Sequence, residues 1–519
     1  MDRPAEPPAS RAAAARVEAR ELIALGGILV LAALLRFIDL PTRGMWDADQ
    51  GHDMLVLRAF VHDGVIPLLG PPTSIGTFHH GVLYYYLLAP FAAFSGSDPV
   101  AVVAAIAAAG VAAVAVTWWL ARSIGGMAAG LVAAGLMAVS ASAIEESTFI
   151  WNPNLIALSS AVAFAAAWRA WTTGRARWWV AAAAAQAVTM HCHVLGVVLL
   201  VPLGGLLIAD LRRRVAGDPG RARVARAALA GMAVIALSYL PLALSELQTG
   251  FAETHAAAAF FAAGGASVGT PLPVRVLVVA WRILAWPLTG LVTSAPLAAL
   301  AAAALVIGIL AWRSAAAPPP ERLAVRWFAL TLAWSAVALA IGAATLATVV
   351  PGLPNDHYHA FLDPLVFVTV GLGAAAAWRT RQPAMRLVAA VGVAAVVAFN
   401  VLTWPPSVAP DGGWPAAQRA AERIATRVAG APYALVSLPD FKSADAYAFP
   451  LTRAGHPPAP ASTGEAVVVV CDRLFDEAIG APCGGPAETA WAAARAPGAV
   501  LADRFDAAPR TAVSVYLPR

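Results

Sequence analysis

Charge is what this sequence has least of. Only 13% of its 519 residues are Asp, Glu, Lys or Arg, against about 25% in an ordinary soluble domain. Hydrophobic residues make up 60%, more than a water-soluble core of this length needs, which excludes the soluble globular class. Lysine is nearly absent too: of 35 basic residues only Lys442 is a lysine. The arginines form short clusters between apolar runs, so the formal charge of +5 is no nucleic-acid footprint, which would be a continuous basic stripe. Three cysteines are too few for a disulfide framework. Cys471 and Cys483 can pair if their region meets an oxidising compartment, and Cys192 reads as a small buried hydrophobe. There is no small-residue cleavage site after the first apolar run, which makes that run a signal anchor rather than a removable leader. Walker loops, dinucleotide fingerprints and HExxH are also missing, which argues against nucleotide and metalloprotease chemistry.

What is present is a series of spanning stretches. They lie at 22–39, 98–121, 126–144, 154–173, 177–193, 194–210, 225–246, 290–313, 327–350, 360–379 and 385–404, each near the ~17–25 residues a helix needs to cross hydrocarbon. The expected fold is therefore an α-helical polytopic membrane protein with about 11 transmembrane helices. With the N-terminal tail (1–21) cytoplasmic, every inside loop is basic: Arg3 to Arg20, Arg122, Arg175 and Arg177, Arg212 to Arg226, Arg313 to Arg326, and Arg379 to Arg386. That is the pattern the positive-inside rule demands. Counting 81–96 as a crossing would invert every later loop, so this Tyr-rich stretch is read as a helix at the outer interface, and about 272–286 likewise. Long outer loops then fall at 40–97 and 247–289, within a membrane domain spanning 22–404. The remainder, 405–519, has short β-like runs around a helical stretch and reads as a small α/β domain, placed outside by the odd number of crossings.

This topology puts all ten histidines on the outer side or at outer helix ends. The first outer loop holds WDADQGHD, with Asp47, Asp49 and Asp53; Asp49 and Asp53 share a face if the stretch is helical. Carboxylates at a membrane boundary are costly unless solvated or used, so these are candidates for a general base or a cation ligand. His79 and His80 follow in FHHG, then Tyr84 and Tyr85, Glu145 and Glu146, Asn152 and Asn154 in WNPN, His191 and His193, and His357 and His359. Polar groups distant in sequence thus share one depth as a candidate pocket. The blander reading is that outer loops are longer and collect polar residues. Outer arginines break the positive-inside rule, and Arg36, Arg43, Arg58, Arg275 and Arg282 are candidates for gripping a lipid phosphate or for snorkelling to headgroups.

The acid-bearing first loop, GPPTSIGTFHHGVLYYYLLAPF, ARSIGG and the WNPN junction, in that order, resemble the GT-C membrane glycosyltransferases over about residues 22–400. The nearest type is the glycosyltransferase 39 family of protein O-mannosyltransferases and aminoarabinose–lipid A transferases. The resemblance implies an inverting transferase that moves a sugar from a polyprenyl-phosphate donor to a lipid, polysaccharide or protein acceptor at the outer face of the cell (inner or plasma) membrane. It implies Asp49 as the base on the acceptor, with Gln50 where the family has Glu, and with Asp47 and Asp53 as alternatives. Arg58, His80, Arg275 and Arg282 would hold the donor phosphate, His80 standing where the family often has Lys. The one candidate cofactor is a divalent metal cation, with His79 and Asp49 as its candidate ligands. The partners implied are the lipid-linked donor, the acceptor and membrane lipids, not nucleic acid. The rival is a polytopic transporter or flippase, which would need charged or Gly/Pro-broken helices near mid-bilayer and an internal repeat; the charges here sit at helix ends. An inactive relative is a further alternative, given Gln50 and His80.

Overall fold

A computed structural model describes residues 18–73, 78–215, 217–263, 268–348, 355–459, 466–473, 476 and 483–519. Most of the N-terminal tail, with Arg3, Arg11 and Arg16, lies outside the described residues. The helices in chain order are α1 (Ala19–Phe37), α2 (Leu40–Arg43), α3 (Ala48–His62), α4 (Leu83–Phe94), α5 (Pro99–Gly125), α6 (Met127–Val139), α7 (Ala141–Glu145), α8 (Ile156–Thr173), α9 (Arg177–Cys192), α10 (Leu200–Arg212), α11 (Pro219–Ser238), α12 (Leu240–Thr249), α13 (Ala252–Ala262), α14 (Leu272–Thr289), α15 (Pro296–Ala316), α16 (Pro319–Gly342), α17 (Asp363–Arg379) and α18 (Pro383–Leu402). Short 3₁₀ turns at Asn152–Leu155, Val194–Leu199 and Asp356–Leu362 lead into α8, α10 and α17.

Among the described residues eight helical stretches are long and apolar enough to cross a bilayer, and the pair α11–α12, bent by 42°, makes a ninth. The bend has a local cause: Pro241 stands in the first turn of α12 and supplies no amide to the preceding turn. The other expected crossings are also helical, as α1, α6 and α9, but are shorter or carry more charge. At 12 residues, α4 is too short to cross, as its tyrosines suggested. Helix α14, expected as a surface helix at about 272–286, is instead among the helices long and apolar enough to cross. Its last turns are held by Ser140 and Ser142, which donate to the Pro287 and Trp286 carbonyls, and by Asn400, which donates to that of Leu288.

One end of the bundle collects the basic loops. Arg122 at the end of α5 pairs with buried Glu21 at the start of α1 (2.7 Å), and Arg379 of α17 reaches the Gly125 carbonyl. Arg313 and Arg379 both meet Glu321 at the start of α16. Asp210, fully buried, takes Arg213, Arg214 and the Trp179 indole N–H. Arg169 of α8 lies over Trp119 and Trp178, which brings α8 and α9 to the same end as α5. The opposite end is closed by Arg36, whose buried guanidinium donates to the Ala138 and Met137 carbonyls where α6 stops, the favoured place for a cation on a helix. Arg43 is likewise engaged, with the Leu35 carbonyl and the Trp404 ring.

After α18 the chain forms a four-stranded sheet of β1 (Tyr433–Leu438), β2 (Ala466–Asp472), β3 (Val500–Ala508) and β4 (Thr511–Leu517) in the order β1-β2-β4-β3. β1 and β2 are parallel, and the other pairs antiparallel. Helices α19 (Gly413–Val428), α20 (Asp445–Arg453) and α21 (Pro486–Arg495) accompany it, and Cys471 and Cys483 form a disulfide. This unit docks on the first outer loop through a cluster of Trp46, Trp414 and Phe449. Polar contacts fix the dock: the Trp46 amide donates to Asp411 (2.7 Å) and its indole to the Ala446 carbonyl (2.8 Å). Gly51 packs so closely that an added Cβ would stand 2.1 Å from the Asp445 carbonyl. A backbone oxygen cannot swing aside, so Gly51→Ala is expected to loosen the docked unit at a cost of about 1–3 kcal/mol. Limited proteolysis checks this: the variant should release a C-terminal fragment faster than wild type, and equal rates would show that the contact adapts.

Candidate active site

The site is built on α3, whose start the sequence dictates. Asp47 caps it by accepting the Ala48 amide, while Gln50 accepts the Asp47 amide at 2.8 Å in a capping box. Gln50 is buried, and its amide nitrogen also donates to the Ile150 carbonyl at 2.9 Å. An ionised Glu has no proton for that second bond, so Gln at this position ties α3 to the segment before the WNPN turn. Asp47 is therefore a structural cap and does not line the cleft, which corrects its place among the candidate bases.

One turn on, Asp49, His52 and Asp53 line an open cleft of about 130 Å³. Its other walls come from Pro71 to Thr73, His80, Trp151 to Pro153, His193 to Leu195, His357 and Tyr358. Short backbone hydrogen bonds place His80 there: Gly70 donates to the His80 carbonyl and His80 to that of Pro71, a ladder continued by the Pro72–His79 bridge. Gly81 is required beside it, because an added Cβ would fall 2.0 Å from Nδ1 of His191. The His80 ring lies tilted against His193 (4.9 Å between centroids), His193 meets His357 edge-on (5.7 Å), and His357 lies tilted against Trp151 (4.1 Å).

The two acids differ in environment. Asp49 keeps a solvent-exposed face. Protein crowding, the larger cause, and the Asp47 carboxylate hold its carboxyl above the usual range, while Lys442 and His52 pull it back. Asp53 is buried and accepts the Tyr85 hydroxyl at 2.7 Å; burial pushes it up to about 7 against the Tyr85 and Tyr84 hydroxyls, which favour the anion. Two acids with unequal access to water are suited to separate tasks, the open one to taking a proton. Burial takes His80 down to about 4, so it stays neutral, in keeping with its Nδ1 accepting the Val194 amide. His193 Nδ1 accepts the Leu195 amide in the same way. Both rings thereby keep an Nε2–H donor.

The structure thus gathers Asp49, Asp53, His80, Asn152, His193 and His357 in one cleft and places the other candidates elsewhere. Tyr84 and Tyr85 stand behind Asp53. Asn154 closes its own turn on the Phe149 carbonyl, and His191 is held by Ser238 and stacks on Tyr239. Glu145 and Glu146 lie outside the lining. His79 is bound through its amide and Nδ1 by Glu253 of α13 (2.7 and 2.9 Å) and is not among the lining residues. No group of three ligating side chains occurs among the described residues. Arg282 and His359 are both spent on Asp356, at 2.7 and 3.2 Å, all three side chains buried. Arg58 and half-buried Arg275 do not line the cleft either. The positive-inside violation that singled out Arg282 has a buried counter-ion as its cause. Neutral imidazoles take the place expected of arginine, and the described lining contains no Arg or Lys. Sequence reasoning passed over His52, Trp151 and Tyr358. His52 had a legible signal, since it lies between Asp49 and Asp53 and is i,i+3 from Asp49 on one helical face.

Residues 79–241 match the family model described as dolichyl-phosphate-mannose-protein mannosyltransferase. The crystal structure of ArnT from Cupriavidus metallidurans bound to undecaprenyl phosphate is similar, with a TM-score of 0.53 and 16% identity over 95% of this chain and 97% of that one. The archaeal oligosaccharyltransferase AglB from Archaeoglobus fulgidus, in complex with an inhibitory peptide and a dolichol-phosphate, gives a TM-score of 0.49 and 14% identity over 88% of this chain and 70% of that one. No curated protein sequence matches the chain. In fold the chain is similar to ArnT, and over residues 79–241 its sequence is similar to the protein mannosyltransferase family; both are of the GT-C type that the motif order in the sequence resembles.

Proposed function

We propose that this protein is an inverting glycosyltransferase that moves a sugar from a polyprenyl-phosphate donor to an acceptor hydroxyl or amine at the outer face of the cytoplasmic membrane. One observation carries the reading. An open carboxylate, Asp49, and a row of buried imidazoles share a cleft at the end of the bundle away from the arginine loops. In the reaction the acceptor heteroatom attacks the anomeric carbon, the bond from that carbon to the phosphate oxygen breaks, and Asp49 takes the acceptor proton. The departing lipid phosphate carries the electron pair away and is met by Nε2–H groups of His80 and His193. A single displacement needs no second catalytic carboxylate, which suits a buried Asp53 already bonded to the Tyr85 hydroxyl. The descriptions of the matching family and of ArnT both name a polyprenyl phosphate lipid, which supports this donor class.

The same reading orients the chain. Basic loops toward the cytoplasm put the N-terminal tail (1–21) inside, and the cleft and residues 405–519 outside, where a Cys471–Cys483 disulfide suits an oxidising compartment. Full-length protein in lipid nanodiscs, given undecaprenyl-phosphate-linked and dolichyl-phosphate-linked hexoses with envelope extract as acceptor, should release free polyprenyl phosphate. A deletion strain should lose one sugar from its envelope glycoconjugates by mass spectrometry. Failure to release or bind any polyprenyl phosphate, with envelope glycans intact, would refute the reading.

A further inference from the structure

The C-terminal unit reaches into the cleft wall. His52 lines the cleft on the same turn of α3 as Asp49, and its Nδ1 lies 3.1 Å from Oδ2 of Asp445 on α20. The contact is built rather than incidental. Gly51, the neighbouring residue, gives α20 the room to come down on α3, because any Cβ there would strike the Asp445 backbone. The Trp46 indole, one turn earlier, holds the next carbonyl of α20, that of Ala446. Trp46 and Gly51 thus fix the backbone of residues 445–446, and Asp445 is the residue that presents a carboxylate to the cleft's edge. Ser443 caps its amide in turn. With Nδ1 engaged, Nε2 is the nitrogen His52 has left for the cleft.

We propose that Asp445 is a positioning residue of the active site: it holds His52 as a cation beside Asp49, so that the C-terminal domain sets the working state of the base. This rests on the transferase reading of the cleft. The titratable groups around the pair are Asp47, Asp49 and Asp53 on α3, Tyr85 on α4, Asp445 and Lys442 on the docked unit, and, lining the same cleft, His80, His193, His357 and Tyr358. A carboxylate bonded to an imidazole favours its protonated form, and an imidazolium beside Asp49 favours the carboxylate form that can accept a proton. The sole lysine of the chain adds its charge to Asp49 from the same domain. Both positive influences on the base are therefore supplied or held by residues 442–445, which no motif of the membrane domain encodes.

The test uses the full-length protein in nanodiscs and the release of undecaprenyl phosphate from an undecaprenyl-phosphate-linked hexose, measured from pH 5 to 9. Asp445→Asn and His52→Gln are expected to move the acid limb of kcat/KM up by about one pH unit and so to lower the rate by up to about tenfold on that limb. The deficit shrinks above pH 8, KM for the lipid is unchanged, and Asp445→Glu restores much of the loss. Lys442→Gln shifts the same limb by less. A parallel loss at every pH with a lowered melting temperature would make Asp445 merely a docking contact and overturn the proposal; so would an unchanged profile. Histidine NMR titration separates this from the transferase reading, because it needs no turnover. If Asp445→Asn leaves the His52 titration where it was, the proposal falls even in an active enzyme. If that titration drops by about a unit while wild type releases no polyprenyl phosphate, the pairing stands and the transferase reading fails.

Discussion

Asp49→Asn is expected to lower kcat by about 10²- to 10⁴-fold, the range a positioned general base supplies, with little change in affinity for undecaprenyl phosphate. Asparagine keeps the size and polarity of the side chain at an exposed position, so the fold has no reason to change; what is lost is the capacity to accept the acceptor proton. Asp53→Asn is the internal control. Asp53 is buried, raised to about 7 and already bonded to the Tyr85 hydroxyl. The asparagine carbonyl can accept that same hydroxyl, so its activity should stay within about tenfold of wild type. Steady-state kinetics on both variants decides which carboxyl works as the base. A severe loss in Asp53→Asn with Asp49→Asn near wild type would exchange their roles.

Arg282→Met is expected to cost about 3–5 kcal/mol, the usual result of stripping one partner from a buried ion pair. The guanidinium bonds Asp356 through Nε at 2.9 Å, Asn355 at 2.6 Å and the Leu346 carbonyl at 2.6 Å. Its loss would leave the Asp356 carboxylate buried with His359 as its remaining ionic partner. In detergent the variant should melt markedly lower or fail to accumulate. The double variant Arg282→Met, Asp356→Leu should recover most of the stability, since a buried pair is often replaceable by apolar side chains. Activity after that rescue separates two roles. If Arg282 only braces α14 against the turn before α17, activity returns with the fold; if it held the donor phosphate, the fold returns and turnover does not.

Much of this architecture was legible because hydrophobic spans and basic loops are written in consecutive residues. The arginines of one bundle end, the short Tyr-rich helix α4 and the sheet after residue 404 all follow from local composition and hydropathy. The site was legible only in part. Asp49 announced itself by lying in an acidic run at a membrane boundary, and His80 by standing in FHHG. Asp47 stood in the same run, yet the backbone claimed it as a helix cap, and a capping box and an active-site pair look alike until Gln50 is seen bonding to Ile150. Arg282 was conspicuous as an outer cation, but its counter-ion is 74 residues away in sequence, beyond any local pattern.

Taken alone, the sequence determined the class of solvent around each segment, because transferring a 20-residue stretch into hydrocarbon depends on its own side chains and hardly on its neighbours. It therefore determined the membrane fold, the polarity of the bundle and the face on which polar chemistry gathers. Which polar residues meet was decided by the tertiary structure alone. His80, His193 and His357 come from three separate turns, and His52 finds Asp445 393 positions later, because helix packing and the docked C-terminal sheet close loops that no periodicity records.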